Sequence, residues 1–177
     1  RPAFAESHHA RLPRLRRGGE ETWTPSFTYE GFRYVQVEGI EENQATDDLL
    51  TFLLMSSSFE HTGDFACSDE TVNRLFAMAK NSALSNFYYF PTDCPHREKN
   101  GWTGDAALSA EYMTLLFDTE KSYTEWLCNI RKSQNAKGAL PGIVPTDSWG
   151  FAWGNGPAWD KALFELTYVL FKYRGNI

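Results

Sequence analysis

With 177 residues, 42% hydrophobic and 23% charged, the chain has the composition of a globular protein with room for one domain or parts of two. A formal net charge of −6 leaves no broad cationic surface to meet phosphates, which argues against a nucleic-acid partner. No apolar run approaches the length of a membrane span, and the N-terminus lacks the apolar core of a signal peptide. Cys67, Cys94 and Cys128 fit neither a zinc pattern nor a disulfide framework, so reduced thiols in a cytoplasmic protein are the simplest reading. Six Trp, eight Tyr and thirteen Phe make the chain 15% aromatic. That density suits a heavily packed β-layer or a carbohydrate site, where flat rings stack on sugar faces.

The first twenty residues are polar and basic without a clear period, and the cluster Arg11, Arg14, Arg16 and Arg17 beside Pro13 reads as a solvated edge or loop. From Ser26 to Gly39 the β-formers Phe27, Tyr29, Phe32, Tyr34, Val35 and Val37 alternate with polar side chains, which predicts a strand. Leu49 to Phe59 predicts another, buried on both faces at its start. Residues 1–62 are therefore expected to be the tail of an all-β layer, with too few strands to stand alone.

Past Gly63 the period changes. Ser68 stands ahead of Asp69 and Glu70 as an N-cap with an acidic first turn, and Val72, Leu75, Phe76, Ala79, Ala83 and Leu84 recur at helical spacing. A second helix is predicted over Ala106–Leu116, and a third after Asp118 or Thr119, with Tyr123, Trp126, Leu127 and Ile130 inward. A Gly- and Pro-rich loop follows, and Pro157 opens a fourth helix through Ala162, Leu166, Val169, Leu170 and Tyr173. Consecutive helices joined by long aromatic loops point to a helical barrel whose loops form the site. Four helices do not close a barrel, and the chain starts at Arg1, so residues 63–177 are expected to be the first part of a truncated barrel.

Between Phe90 and Asp105, Pro91, Pro95, Gly101 and Gly104 break any regular element, and Asp93, His96, Arg97, Glu98, Lys99, Trp102 and Asp105 crowd together. One chemistry for such a set is glycoside cleavage. A carboxylic acid protonates the leaving oxygen while a second carboxylate activates water or attacks carbon, and inverting enzymes hold the two roughly 6.5–9.5 Å apart. Glu98 stands between Arg97 and Lys99, which favour its ionised form, and burial under a bound sugar favours the protonated one. Desolvation is expected to prevail there, leaving Asp93 and Asp105 ionised to bind hydroxyls. Trp102 offers a flat apolar face for a deoxy-sugar. A metal is not expected, because the spacing of Asp93, Cys94, His96, Glu98 and Asp105 fits no zinc or calcium loop, and no cofactor is called for. His96 reads as a hydrogen-bonding residue and Cys94 as a packed one. A charged surface loop, or a carbohydrate-binding fragment without catalysis, uses the same residues.

Thr92-Asp93-Cys94-Pro95-His96-Arg97-Glu98-Lys99-Asn100-Gly101-Trp102-Thr103-Gly104-Asp105 resembles the signature of the bacterial α-L-rhamnosidases, glycoside hydrolase family 78. The resemblance extends to Phe27–Gly39, similar to the strand that ends the β-sandwich ahead of that family's catalytic domain, and to Thr62–Asp69, similar to the entry into its barrel. Pro141 to Pro145 and Pro157-Ala158-Trp159-Asp160 match later barrel loops more loosely. The resemblance implies a mainly helical fold, an (α/α)6 barrel preceded by β-sandwich strands. It also implies an inverting hydrolase that releases terminal α-L-rhamnose, with a carbohydrate, an L-rhamnoside, as its substrate. By position Glu98 matches the general acid. Asp93 and Asp105 match carboxylates that hold the rhamnose hydroxyls, and Arg97 and Trp102 match residues of the same pocket. Trp149, Trp153 and Trp159 are candidates for further aromatic walls. The family's general base is a glutamate from a later part of the barrel. None of Glu111, Glu125 and Glu165 fits that role, so the chain alone is expected to be inactive. Related (α/α)6 hydrolases act on other sugars, and only the motif favours rhamnose.

Overall fold

The computed structural model describes residues 22–146 and 148–175, with all of their side chains except those of Ser148 and Trp149. The basic cluster Arg11–Arg17 and the Trp149 ring therefore lie outside the described residues. The described part is mainly helical.

Helix α1 spans Glu70–Ser85. Its N-cap is Asp69, one residue beyond the expected Ser68: the carboxylate accepts from Thr71 N at 2.8 Å and Val72 N at 3.4 Å. Strands β1 (Phe87–Tyr88) and β2 (Phe90–Pro91) then form a minimal antiparallel hairpin turning on Tyr89, whose φ is +68°. Helix α2 spans Thr103–Leu116 and α3 spans Glu120–Lys132. The Asp118 carboxylate accepts from Glu120 N at 3.2 Å, while Thr119 occupies the N-cap position. The single helix expected after Pro157 is divided into α4, Pro157–Asp160, and α5, Ala162–Arg174, with Pro157 at the first turn as expected. Gly175, in the left-handed region, ends α5.

The core lies where α2, α3 and α5 meet. Tyr123, Trp126 and Ile130 of α3 are fully buried, and Leu166, Val169 and Leu170 of α5 pack with them. Of the residues at helical spacing in α2, Leu108, Tyr112, Leu115 and Leu116, only Leu116 is buried, alongside Ala106, Ala107, Ala110, Met113 and Thr114; the other three are exposed. Small side chains let α5 lie close against α2, so the larger residues are turned outward.

The strands expected over 26–39 and 49–59 are not formed: among the described residues up to 60 there is no ladder, and Leu50, Phe52, Leu53 and Leu54 are exposed. A strand is defined by the hydrogen bonds of its neighbours, and β-forming side chains alone do not supply them. The end of this stretch is nonetheless tied to the helices. Phe59 packs edge-on against Phe87, with ring centres 4.8 Å apart, and Thr62 N donates to Leu116 O at 2.9 Å.

Candidate active site

The loop from Thr92 to Trp102 is held by its own backbone and side chains. Thr92 N donates to Asn86 O at 2.7 Å, anchoring the loop to the end of α1. Asp93 closes the far side: its N–H donates to Asn100 O at 3.1 Å, and its carboxylate accepts from Asn100 N, also at 3.1 Å. Within that ring the Cys94 sulfur accepts from Glu98 N at 3.2 Å, and Lys99 N donates to Cys94 O at 3.2 Å. Cys94 is half-buried and structural, in line with the packed role expected of it.

Beyond the loop, Asn100–Thr103 is pinned by the segment 140–144. Val144 N donates to Gly101 O at 2.9 Å, and both the N–H and the hydroxyl of Thr103 donate to Gly142 O. That segment is fastened to α3 by the buried Trp126, whose Nε1 donates to Val144 O at 2.9 Å. The loop thus rests on the core through two layers.

Glu98 is exposed, and two neighbours address its carboxylate. Trp102 Nε1 donates to Oε2 at 3.0 Å, and the Arg97 guanidinium lies 3.7 Å from Oε1. The Arg97 side chain is 73% exposed, so this pair is a weak constraint, and the indole N–H fixes the carboxylate. The cover that would desolvate Glu98 is not supplied by the described residues.

Asp105 stands in the first turn of α2. Its carboxyl is pushed above the ordinary 3.8, first by burial and then by the negative charges of Asp93 and Glu98, against the lowering effect of its own backbone N–H. Asp93, Glu98 and Asp105 therefore share one electrostatic neighbourhood.

The tryptophans gather around Gly154. A Cβ there would fall 2.7 Å from Cζ3 of Trp102 and 3.2 Å from Cδ1 of Trp159, so the two indoles close on one point of backbone. The Trp159 ring also lies over the first turn of α2, where a Cβ on Gly104 would fall 2.7 Å from its Nε1. Only glycine allows that approach. Trp159 Nε1 and Asp160 Oδ1 are buried without a hydrogen-bond partner. Trp153 is 65% exposed beside them.

The expected site residues thus fall into one region: Asp93, Arg97, Glu98, Trp102 and Asp105 along the loop and the start of α2, with Trp159 and Gly154 against them. Two participants had no role assigned from the sequence, and a third, Lys99, takes a different one from the flanking charge expected of it. Gly142 and Val144 act through their backbones, which carry no side-chain signal. Lys99 reaches away from the carboxylates to Glu30, with Nζ 3.3 Å from Oε1, and lies over the Tyr29 ring. Among the described residues no three His, Cys, Asp or Glu side chains come together as metal ligands would.

Residues 60–177 match the family profile described as the bacterial alpha-L-rhamnosidase 6 hairpin glycosidase domain, and residues 9–56 match that of the bacterial alpha-L-rhamnosidase concanavalin-like domain. The class is therefore that of the six-hairpin glycosidases. An alpha-L-rhamnosidase of Formosa agariphila is 36% identical over 64% of this chain and 12% of its own length. One of Streptomyces avermitilis is 32% identical over 92% of the chain and 16% of its own. Among solved structures, the native alpha-L-rhamnosidase of Aspergillus terreus superposes with a TM-score of 0.76 at 34% identity, covering 87% of this chain and 18% of that one. The Streptomyces avermitilis enzyme complexed with L-rhamnose gives 0.64 at 28% identity, over 68% of this chain and 12% of that one. The chain belongs to the bacterial alpha-L-rhamnosidase family. It spans between 12% and 17% of the length of the curated relatives it matches.

Proposed function

We propose that this chain is the acid-bearing part of an inverting α-L-rhamnosidase, with residues 1–62 ending a β-sandwich and residues 63–177 beginning an (α/α)6 barrel. In this reading Glu98 gives its proton to the glycosidic oxygen as the bond to the anomeric carbon breaks. Water then attacks the opposite face of the sugar, activated by a carboxylate that this chain does not supply. Asp93 and Asp105 accept from rhamnose hydroxyls, Arg97 lies at the rim, and Trp102, Trp153 and Trp159 form the apolar wall. Glu111 is no candidate for the base, because Lys172 and Tyr173 hold it at 2.9 and 2.6 Å on the outer flank of α2 and α5. The three free thiols support a cytoplasmic place of action.

The observation that carries the reading is the Trp102–Glu98 hydrogen bond, which orients one carboxylate beside a second carboxyl, Asp105, that burial pushes toward its protonated form. A bound sugar covering the same surface would remove water from Glu98 as well. In an active enzyme carrying this chain, Glu98→Gln is expected to lower kcat/KM on alkyl rhamnosides by roughly a hundredfold or more. The loss should be much smaller for leaving groups that depart without a proton. Near-normal activity on alkyl rhamnosides would remove Glu98 from the role.

A further inference from the structure

The segment Tyr29-Glu30-Gly31 is separated from the acidic loop by more than sixty residues of chain, yet it makes four kinds of contact with the loop and its hairpin. Glu30 Oε1 receives the Lys99 ammonium at 3.3 Å, with both side chains about three-quarters out of solvent or slightly less. The same ammonium lies 5.1 Å from the centre of the Tyr29 ring. Tyr29 in turn packs on Tyr88 of β1, with ring centres 5.0 Å apart. Gly31 lies so close beneath Pro95 and His96 that a Cβ would fall 2.9 Å from the Cβ of His96. Among the described residues Lys99 is also one of three other than glycine with a positive φ, +56°, a backbone state that persists when the surroundings hold it.

We propose that Tyr29, Glu30 and Lys99 form a brace from the N-terminal segment that sets the position of the neighbouring Glu98. The inference rests on the reading of Glu98 as the acid. Lys99 does not touch the substrate site; it fixes the backbone at the residue after Glu98, while Cys94 and Trp102 fix the residue from the other sides. The Tyr29 hydroxyl supports the placement. Burial raises its pKa, and Cys94 and Asp93 raise it further, so the ring reaches into the loop's own field. With the salt bridge lost, the loop keeps its internal hydrogen bonds but loses its outer anchor, and a proton donor displaced by a fraction of an ångström loses much of its effect.

The test has one part that needs no catalysis. In the 177-residue chain, Glu30→Gln is expected to raise the alkylation rate of Cys94 by iodoacetamide, read site by site by mass spectrometry, at least roughly threefold, with Cys128 on α3 unchanged. The charge-exchanged pair Glu30→Lys with Lys99→Glu should restore the slow rate. Cys94 and Cys128 speeding up together, or neither changing, overturns the brace. In an active enzyme carrying this chain, Glu30→Gln is expected to lower kcat roughly tenfold on alkyl rhamnosides and far less on leaving groups that need no proton, with KM nearly unchanged. An equal loss on both substrate classes overturns the positioning role. Glu98→Gln measured alongside reports on the acid itself: activity lost there but kept in Glu30→Gln sinks the brace alone, and activity kept in both sinks the acid assignment too.

Discussion

Asp105 occupies the first turn of α2, where the helix N-terminus favours a negative charge, yet its carboxyl is held above its ordinary value by burial and by Asp93 and Glu98. The consequence is a definite sign. A raised carboxyl pKa in the fold gives stability that is present below the unfolded value of 3.8 and is lost as pH rises through the raised folded value. Carbon-13 NMR should place the Asp105 midpoint above 3.8, and Asp93→Asn should bring it down by removing a like charge. A midpoint at or below 3.8, or one indifferent to Asp93→Asn, would show that the two carboxylates do not share a field. Trp102 meets the other acid of the group, Glu98, by geometry: its indole N–H donates to Oε2 at 3.0 Å.

Among the elements, the segment 140–144 bears most on the site while contributing no side chain to its chemistry. It is clamped between Trp126 on α3 and the backbone of Gly101 and Thr103. Replacing Trp126 by Phe keeps most of the ring in the core but leaves Val144 O without its buried donor, which costs about 1–3 kcal/mol. Thermal unfolding should show a drop of several degrees for Trp126→Phe, and an unchanged Tm would mean that the clamp carries no weight. The helices differ in how plainly the sequence announced them. Helices α1 and α3 carry long apolar residues on one face and polar ones on the other, so spacing alone finds them. Helix α2 buries alanines and exposes Leu108, Tyr112 and Leu115, which reverses the face that hydrophobicity suggests. The reason is the close approach of α5, a property of the partner helix that the spacing within α2 does not contain. The break between α4 and α5 at Lys161 was equally invisible, because nothing in its side chain interrupts a helix.

At the scale of the molecule, the acidic loop was legible because its chemistry is local: acids, a base and an indole within a few residues of one another. The brace from Tyr29 and Glu30 was not, since a contact across that much chain leaves no periodic trace. The β-rich stretches before residue 60 show the converse limit. Their composition is that of strands, the profile matched by residues 9–56 is that of a concanavalin-like domain, and still residues 22–60 form no ladder. Composition favours a pleated conformation, but pairing needs a neighbour in place. The same logic applies to catalysis. With the acid proposed on this chain and the base proposed to come from elsewhere in the enzyme, the isolated chain should show no turnover of an aryl α-L-rhamnoside above the uncatalysed rate. Robust hydrolysis by the chain alone would mean that one of its own carboxylates serves as the base.

The alanine face of α2 bears on how this wall could change over time. Ala106, Ala107 and Ala110 lie within about a turn and a half of the carboxyl at the head of the same rod, and a bulkier residue at any of them would force α5 away. A descendant acquiring a taste for a different sugar would therefore inherit this panel almost unaltered. Its novelty would arise more readily at exposed positions such as Trp153, where a changed residue disturbs no buried packing.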